Sequence, residues 1–402
     1  MKVALICIHY PPLRSSCAIQ MRDLAKEIQR QGHEPIVIVP AEDLSQSWVC
    51  ESLDNVQVYR LSSYKTIDVG YVRRAINEML LPFTMLYALR KSNFPLTRLD
   101  AVVWYSPSIF FGPLVRAIKK ASRCPSYLIL RDIFPEWALD LGVMKKGPVY
   151  YVFKLVAKYQ YFVANIIGVQ TPSNLGYMSA WAEKPNRKLE VLNNWLSVSA
   201  NQESSISLAQ TKLNGRKVFV YIGNMGIAQG MDILIDLAES LQDDDGIGFL
   251  FVGRGTEVER LKNNVVRKNM DNVLFYDEID STELPTLLSM CHVGLVALDP
   301  RHKSHNIPGK FLTYIQAGIP VLARINKGTD LAELIEKEAV GSVYTGDVLD
   351  EFKKIASMLI NDKNERPLMS ERGRKLSQRM FSSQSAVKQI VTALNDFSLP
   401  QT

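Results

Sequence analysis

The sequence predicts two doubly wound α/β domains in tandem, and three observations predict them. Short apolar runs alternate with helical patterns from end to end, as in parallel strands joined by crossover helices. The same strand–loop–helix–strand design restarts near residue 217. Glycine-bearing loops follow strands of the second half, where open parallel sheets take their ligands. At 402 residues and 47% hydrophobic content, the chain has material for two to three cores.

In the first half, residues 3–8 read as a strand, 9–18 as a loop and 19–31 as a helix. Met21, Leu24 and Ile28 share one face of that helix, and Gly32 caps it. Residues 36–39 form the next strand, which completes a βαβ unit. Further strands are expected at 56–59, 101–104, 127–130 and 166–169. From residue 218 the pattern repeats: strand 218–222, loop 223–230, helix 231–241 and strand 247–252, followed by Gly253. Strands at 273–276, 293–298, 321–323 and 340–344 complete the second half. Residues 199–215, rich in Ser, Gln and Asn, read as a linker. The expected domains are therefore 1–198 and 216–380, with residues 381–402 as a C-terminal helix packing back on the first domain. A ligand-binding cleft is expected between the two.

Residues 304–323 carry the clearest chemistry. A buried strand at 293–298 runs into a polar, basic loop containing His302, Lys303, His305 and Asn306. Pro308 and Gly309 then open a helix that Gly318 closes. A helix N-terminus just past a parallel strand suits an anion. Lys310, in the first turn, opposes the helix dipole at a cost of ~0.3–1 kcal/mol, and a bound phosphate reverses that sign. Local chemistry leaves open the alternative that Lys310 extends into solvent.

The bulk properties exclude several classes. Five cysteines are scattered without CxxC or zinc spacing, which fits a reducing cytosol. The first apolar run is too short for a signal-peptide core, and no run of eighteen apolar residues predicts a spanning helix. The net charge of +6 is mild. It suits a phosphate-bearing ligand or an anionic membrane surface, and no nucleic-acid partner is expected.

Several segments in order resemble the family four glycosyltransferases of the GT-B fold, over nearly the whole chain. They are Tyr10-Pro11-Pro12, Gly32-His33-Glu34, Arg131 through Glu136 (RDIFPE), Tyr221 through Gly226 (YIGNMG), Phe251 through Gly255 (FVGRG), and Pro308-Gly309-Lys310 with Gly318-Ile319-Pro320. The RDIFPE turn resembles a bacterial polysaccharide subgroup, and within it the N-acetyl-L-fucosamine transferases of O-antigen and capsule assembly. The resemblance implies transfer from a UDP-sugar, as substrate, to a polyprenyl-diphosphate-linked saccharide; no metal or other cofactor is expected, since cations and helix N-termini can cradle the donor diphosphate. It implies that the second domain holds the donor and the first the acceptor, in the cytoplasm at the inner face of the cytoplasmic membrane.

The sequence also departs from that family. His305 and Thr313 stand where two glutamates are usual, Asn224 where an Arg is usual, and Gln229 where a Lys is usual. Residues 104–108, WYSPS, lack the usual His. Those roles, and the retaining stereochemistry that accompanies them, are not carried over.

The remaining candidates are read from the chemistry. Glycosyl transfer needs a stabilised diphosphate, an aligned anomeric carbon and a base for the acceptor hydroxyl. Arg254, Lys310 and the loop Gly223, Asn224 and Gly226 are the diphosphate candidates. His305, Asn306 and Thr313 are further donor contacts, and Glu278 and Glu283 are the candidates beside residues 275–279, where the resemblance places the nucleobase. Asp132, Glu136 and His9 are the catalytic candidates, with Asp140 beside them. His302 and His305 lack acidic or thiol partners for a metal.

Residues 148–169, dense in aromatics with Lys154 and Lys158, and residues 71–91, with Arg73, Arg74, Arg90 and Lys91, read either as helices lying in a membrane interface or as core helices with a basic edge. Two other functions share the pattern: a sugar-nucleotide 2-epimerase, and a non-catalytic sugar-nucleotide-binding assembly protein.

Overall fold

The computed structural model describes residues 1–13, 15–66, 69–140, 142, 144–197, 201–299 and 306–397, without the side chains of residues 71, 72 and 140. The chain divides into two compact units. One comprises Met1–Trp195 with Ser383–Thr402, and the other Leu196–Ser382.

The first unit is built on eight strands: β1 (Lys2–Ile6), β2 (Glu34–Ala41), β3 (Trp48–Leu53), β4 (Val56–Ser62), β5 (Ala101–Tyr105), β6 (Ser126–Leu130), β7 (Ile166–Val169) and β8 (Lys188–Val191). They lie in the order β3-β4-β2-β1-β5-β6-β7-β8. All neighbours are parallel except β3 and β4. Both faces are covered, so the central strands are apolar on both sides. Ala4 and Ile6 of β1 face one core with the helices Tyr71–Lys91, Gly112–Ser122 and Pro148–Val163. Val3 and Leu5 face the other, with the helices Ser16–Arg30 and Ser383–Asn395.

The second unit has six parallel strands: β9 (Lys217–Ile222), β10 (Ile247–Val252), β11 (Val273–Tyr276), β12 (Val293–Ala297), β13 (Val321–Arg324) and β14 (Gly341–Tyr344). Their order is β11-β10-β9-β12-β13-β14. The order reverses between β9 and β12, which makes the carboxyl ends of those two strands the topological switch point. The helices Gly309–Ala317 and Asp330–Glu338 cover one face, and Asp232–Ser240, Val258–Arg267 and Leu349–Asn361 the other.

Four elements differ from the sequence reading. The first helix begins at Ser16, because Ser15 caps it by accepting a hydrogen bond from the Ala18 N–H. Strand β3 is a largely exposed antiparallel edge, and β8 is a half-buried edge. Neither carries the apolar run that marked the central strands. Within residues 199–215, Ile206, Leu208 and Leu213 are buried in the core of the second unit.

Candidate functional site

The second unit's site is built around the β9 terminus. Gly223 follows β9 with φ +99°, and its N–H donates to the Val252 carbonyl. Beside it runs the loop after β10. A Cβ on Gly253 would lie 2.0 Å from the Gly223 carbonyl oxygen, and one on Gly255 2.2 Å from that of Met225. Only glycine permits two backbones to approach so closely. The Met225 N–H donates to the Arg254 carbonyl at 2.8 Å and locks the two loops together.

Gln229 closes the 223–230 loop on itself. Its side-chain oxygen accepts from the Gly226 N–H at 2.9 Å and from Asn224 Nδ2 at 3.1 Å. The Tyr221 hydroxyl donates to the Asn224 carbonyl at 2.7 Å. Asn224 and Gln229, which replace the cations of the resembled family, therefore serve as neutral fasteners of the loop. The Gly226 N–H is engaged by Gln229 in this arrangement.

Lys310 enters the same site from β12's side. Pro308 takes extended backbone, the helix Gly309–Ala317 starts after it, and Gly318 ends it at φ +75°. The Lys310 ammonium lies 3.4 Å from the centre of the Tyr221 ring. It therefore folds back over the end of β9. Burial pushes its pKa down to about 7, although the ring face offsets part of that cost. A half-buried ammonium with no ion pair among the described residues is electrostatically unsatisfied, which favours an incoming anion.

Tyr314, absent from the sequence candidates, joins the two strands at the switch point. Its fully buried hydroxyl accepts from the Ile222 N–H and donates toward the Val220 and Leu295 carbonyls. Gly294 makes room for it, since a Cβ there would sit 2.4 Å from the Tyr314 ring. The available signal was that glycine inside an otherwise apolar strand.

The other donor candidates fall as follows. Arg254 Nε lies 3.1 Å from Glu278 Oε2, with both side chains largely exposed. The structure thus pairs two residues that the sequence reading assigned to different parts of the donor. Thr313 donates its hydroxyl to the Gly309 carbonyl at 3.2 Å, within its own helix. Glu283 accepts from the Ser205 N–H. Asn306 is half-buried just ahead of the helix. His302, Lys303 and His305 lie outside the described residues. Among the described residues no group of three His, Cys, Asp or Glu is placed to hold a metal.

In the first unit, the candidates gather at the carboxyl edge of β1, β5 and β6. Arg131 is buried and donates to the Leu192 and Asn193 carbonyls, with its guanidinium 4.8 Å from the Trp195 ring centre. It ties β6 to the segment after β8 and does not pair with Asp132. Asp132 is half-buried, and burial raises its pKa against the opposing pull of Arg131. His9 Nδ1 is 3.1 Å from the Ser15 hydroxyl. Burial lowers its pKa, and the charge of Arg74 adds to that, so the ring is neutral near pH 7. One strand, β5, separates the ends that carry His9 and Asp132, a spacing of about 10 Å. The fully buried Ser106 hydroxyl, at the end of that strand, has no hydrogen-bond partner among the described residues. Glu136 pairs with Lys154 at 3.2 Å. The side chain of Asp140 is outside the described residues.

Residues 216–362 match the family model described as "Glycosyl transferases group 1". A "Probable glycosyltransferase WbjE" of Pseudomonas aeruginosa is 24% identical over 221 residues, covering 53% of this chain and 54% of that protein. The chain thus spans about half the length of that relative. A "Putative colanic acid biosynthesis glycosyl transferase WcaI" of Escherichia coli K12 is 24% identical over 359 residues, covering 84% of this chain and 86% of the relative. Among solved structures, Anabaena HepE in complex with UDP and glucose superposes with a TM-score of 0.68 at 15% identity, over 98% of this chain and 100% of that one. The fold and these matches define the class: the chain is a glycosyltransferase of GT-B architecture. The residues that match the group 1 model lie in its second unit, and the two bacterial relatives are named as glycosyltransferases.

Proposed function

We propose that this glycosyltransferase moves N-acetyl-L-fucosamine from its UDP donor to a polyprenyl-diphosphate-linked saccharide in O-antigen or capsule assembly. The observation that carries the donor half of this reading is the Lys310 ammonium, suspended over Tyr221 at the switch point of the second sheet. An anion there relieves the desolvation of Lys310 and meets the N-terminus of its helix. Arg254 swings from Glu278 to the diphosphate as its second cation, where its fork geometry suits phosphate oxygens. In this reading cations and helix dipole stabilise the leaving diphosphate, and no metal takes part. The relatives' names, one of which assigns its bearer to colanic acid biosynthesis, support a polysaccharide pathway. HepE's complex with UDP supports the nucleotide.

The first unit takes the acceptor. Asp132 removes the proton of the attacking hydroxyl, since its raised pKa and lack of an ion pair among the described residues suit a base. His9 is the second candidate for that proton. A lipid-linked acceptor brings the protein to the inner face of the cytoplasmic membrane. The test is a screen of UDP-sugars with a short lipid-linked acceptor, with the anomeric configuration of the product read by NMR. Transfer from UDP-N-acetyl-L-fucosamine is expected. Conversion of donor to an isomer without acceptor, or transfer that persists undiminished in Asp132→Asn, His9→Ala and Lys310→Ala, refutes the reading.

A further inference from the structure

We propose that the face formed by the helices Tyr71–Lys91, Gly112–Ser122 and Pro148–Val163 docks on an anionic lipid bilayer, with lipid phosphates held in a groove lined by Arg90, Arg116 and Lys120. The proposal rests on the lipid-linked acceptor proposed above and names the surface that meets its membrane.

All three helices pack on one face of the first sheet. The middle one touches both others. Arg116 donates to the Tyr159 hydroxyl at 3.3 Å, Lys119 Nζ donates to the Val163 carbonyl at 2.7 Å, and Arg90 shares the groove with Pro113 and Ala117.

The outer sides of the two flanking helices are apolar where a soluble surface is polar. On Tyr71–Lys91 the exposed residues Ile76, Leu80, Phe83 and Tyr87 recur at helical spacing, and the row ends at Arg90 in the groove. Phe83 is 58% exposed. On Pro148–Val163 the matching row is Tyr151, Leu155 and Phe162, with Lys158 between them and Leu155 69% exposed. Single exposed apolar residues need no explanation, whereas two rows beside one groove mark an interaction surface.

Charge selects the occupant. The three helices carry nine lysines and arginines and a single carboxylate, Glu78, which is already bound to Arg74. Arg90, Arg116 and Lys120 have no ion-pair partner among the described residues. A second copy docked by the same face would oppose cation to cation. An acidic protein or nucleic acid would satisfy the charges and leave Phe83, Tyr87 and Leu155 in water. Anionic headgroups above an acyl boundary satisfy both, with aromatic and aliphatic side chains below the phosphates and basic groups among them. No helix among the described residues is long and apolar enough to cross a membrane, so the contact is with the surface.

The test is co-sedimentation with extruded vesicles of phosphatidylcholine, alone or with about a third phosphatidylglycerol. Binding is expected to the anionic vesicles only, and to weaken as salt is raised. Each groove cation contributes about a fivefold factor, so Arg90→Gln, Arg116→Gln and Lys120→Gln combined should weaken binding about a hundredfold. Tyr151→Ser with Leu155→Ser should weaken binding and leave its salt dependence unchanged. All these positions are solvent-facing, and circular dichroism checks that the variants fold. Equal binding to neutral vesicles, no binding, or full binding by the triple variant overturns the proposal. So does a solution dimer that the Tyr151/Leu155 pair dissolves without any vesicle binding. Transfer to a water-soluble short-chain acceptor, measured in the same variants, separates the two readings. Vesicle binding without transfer sinks the proposed reaction and supports the docking surface, and transfer without vesicle binding does the reverse.

Discussion

Removing the Lys310 amine, as Lys310→Met, tests the donor site through a proton rather than through product. Burial lowers the Lys310 pKa from its ordinary 10.5 to about 7. At 1.36 kcal/mol per unit, the charged form in the folded protein is disfavoured by at most about 5 kcal/mol. The sign follows from linkage. Between pH 7 and 10.5 the unfolded chain holds a proton on Lys310 that the native chain has lost, so stability rises with pH across that window. Lys310→Met should flatten that slope and raise stability at neutral pH. A diphosphate placed beside the amine restores its pKa toward the ordinary value. At pH 8 the free protein carries about 0.1 proton there, so UDP binding should take up about 0.9 proton, and affinity should fall about tenfold per pH unit above 7. Isothermal titration of UDP at pH 8, in buffers of low and high ionisation enthalpy, reads that number directly. The diphosphate's own titration lies near pH 6 and is common to both proteins. An observed enthalpy independent of the buffer in the wild type, or equal uptake in Lys310→Met, refutes Lys310 as the diphosphate cation.

Asp132→Asn should lower kcat by about 10²–10⁴-fold with UDP affinity unchanged. Because the native state keeps the Asp132 proton to higher pH than the unfolded chain, Asp132 makes stability fall as pH rises through the window above the usual carboxylate range. The asparagine variant should therefore melt higher at neutral pH, and lower melting refutes the burial argument. Gly253→Ala, whose Cβ would meet the Gly223 carbonyl, should cost about 3 kcal/mol or more, seen as a fall of roughly 6–12 °C in Tm. An unchanged Tm would show that the two loops need not pack so closely. Arg254→Gln breaks an exposed pair worth under ~1 kcal/mol, so Tm should hold while UDP affinity drops about tenfold. Equal affinity would leave Arg254 as a surface residue.

The strands buried on both faces, such as β1, β9 and β12, were plain in the sequence from their apolar runs, and the half-buried edges β11 and β14 were also legible because they keep short apolar runs. Strands β3 and β8 escaped because an edge that faces water needs no apolar signature. At the site, Lys310 and the glycines of FVGRG were legible because a cation in a first helical turn and glycines beyond a strand each carry a local cost that asks for a reason. Tyr314 and Gln229 were not. Tyr314 works through hydrogen bonds to backbone groups distant in sequence and Gln229 through bonds to Gly226 and Asn224 that only the folded loop brings together, and a tyrosine on an apolar helix face looks like any core residue. The Arg254–Glu278 pair was hidden for the same reason, since its members lie on different loops. The apolar rows at Phe83 and Leu155 left two readings open, because composition does not say which face of a helix meets the core.

The helix Ser383–Asn395 belongs to the first unit, and it places Val387, Ile390 and Leu394 against Met21, Leu24 and Ile28. The 187 residues of Leu196–Ser382 come between. During synthesis, then, the second unit is complete as it leaves the ribosome, while the earlier half waits with one sheet face partly uncovered. The nascent chain carries an open apolar surface, including Leu24 and Ile28, for the whole time its other half is being made. A chain truncated after residue 382 and released should hold a native later domain, while its earlier one is a client for chaperones.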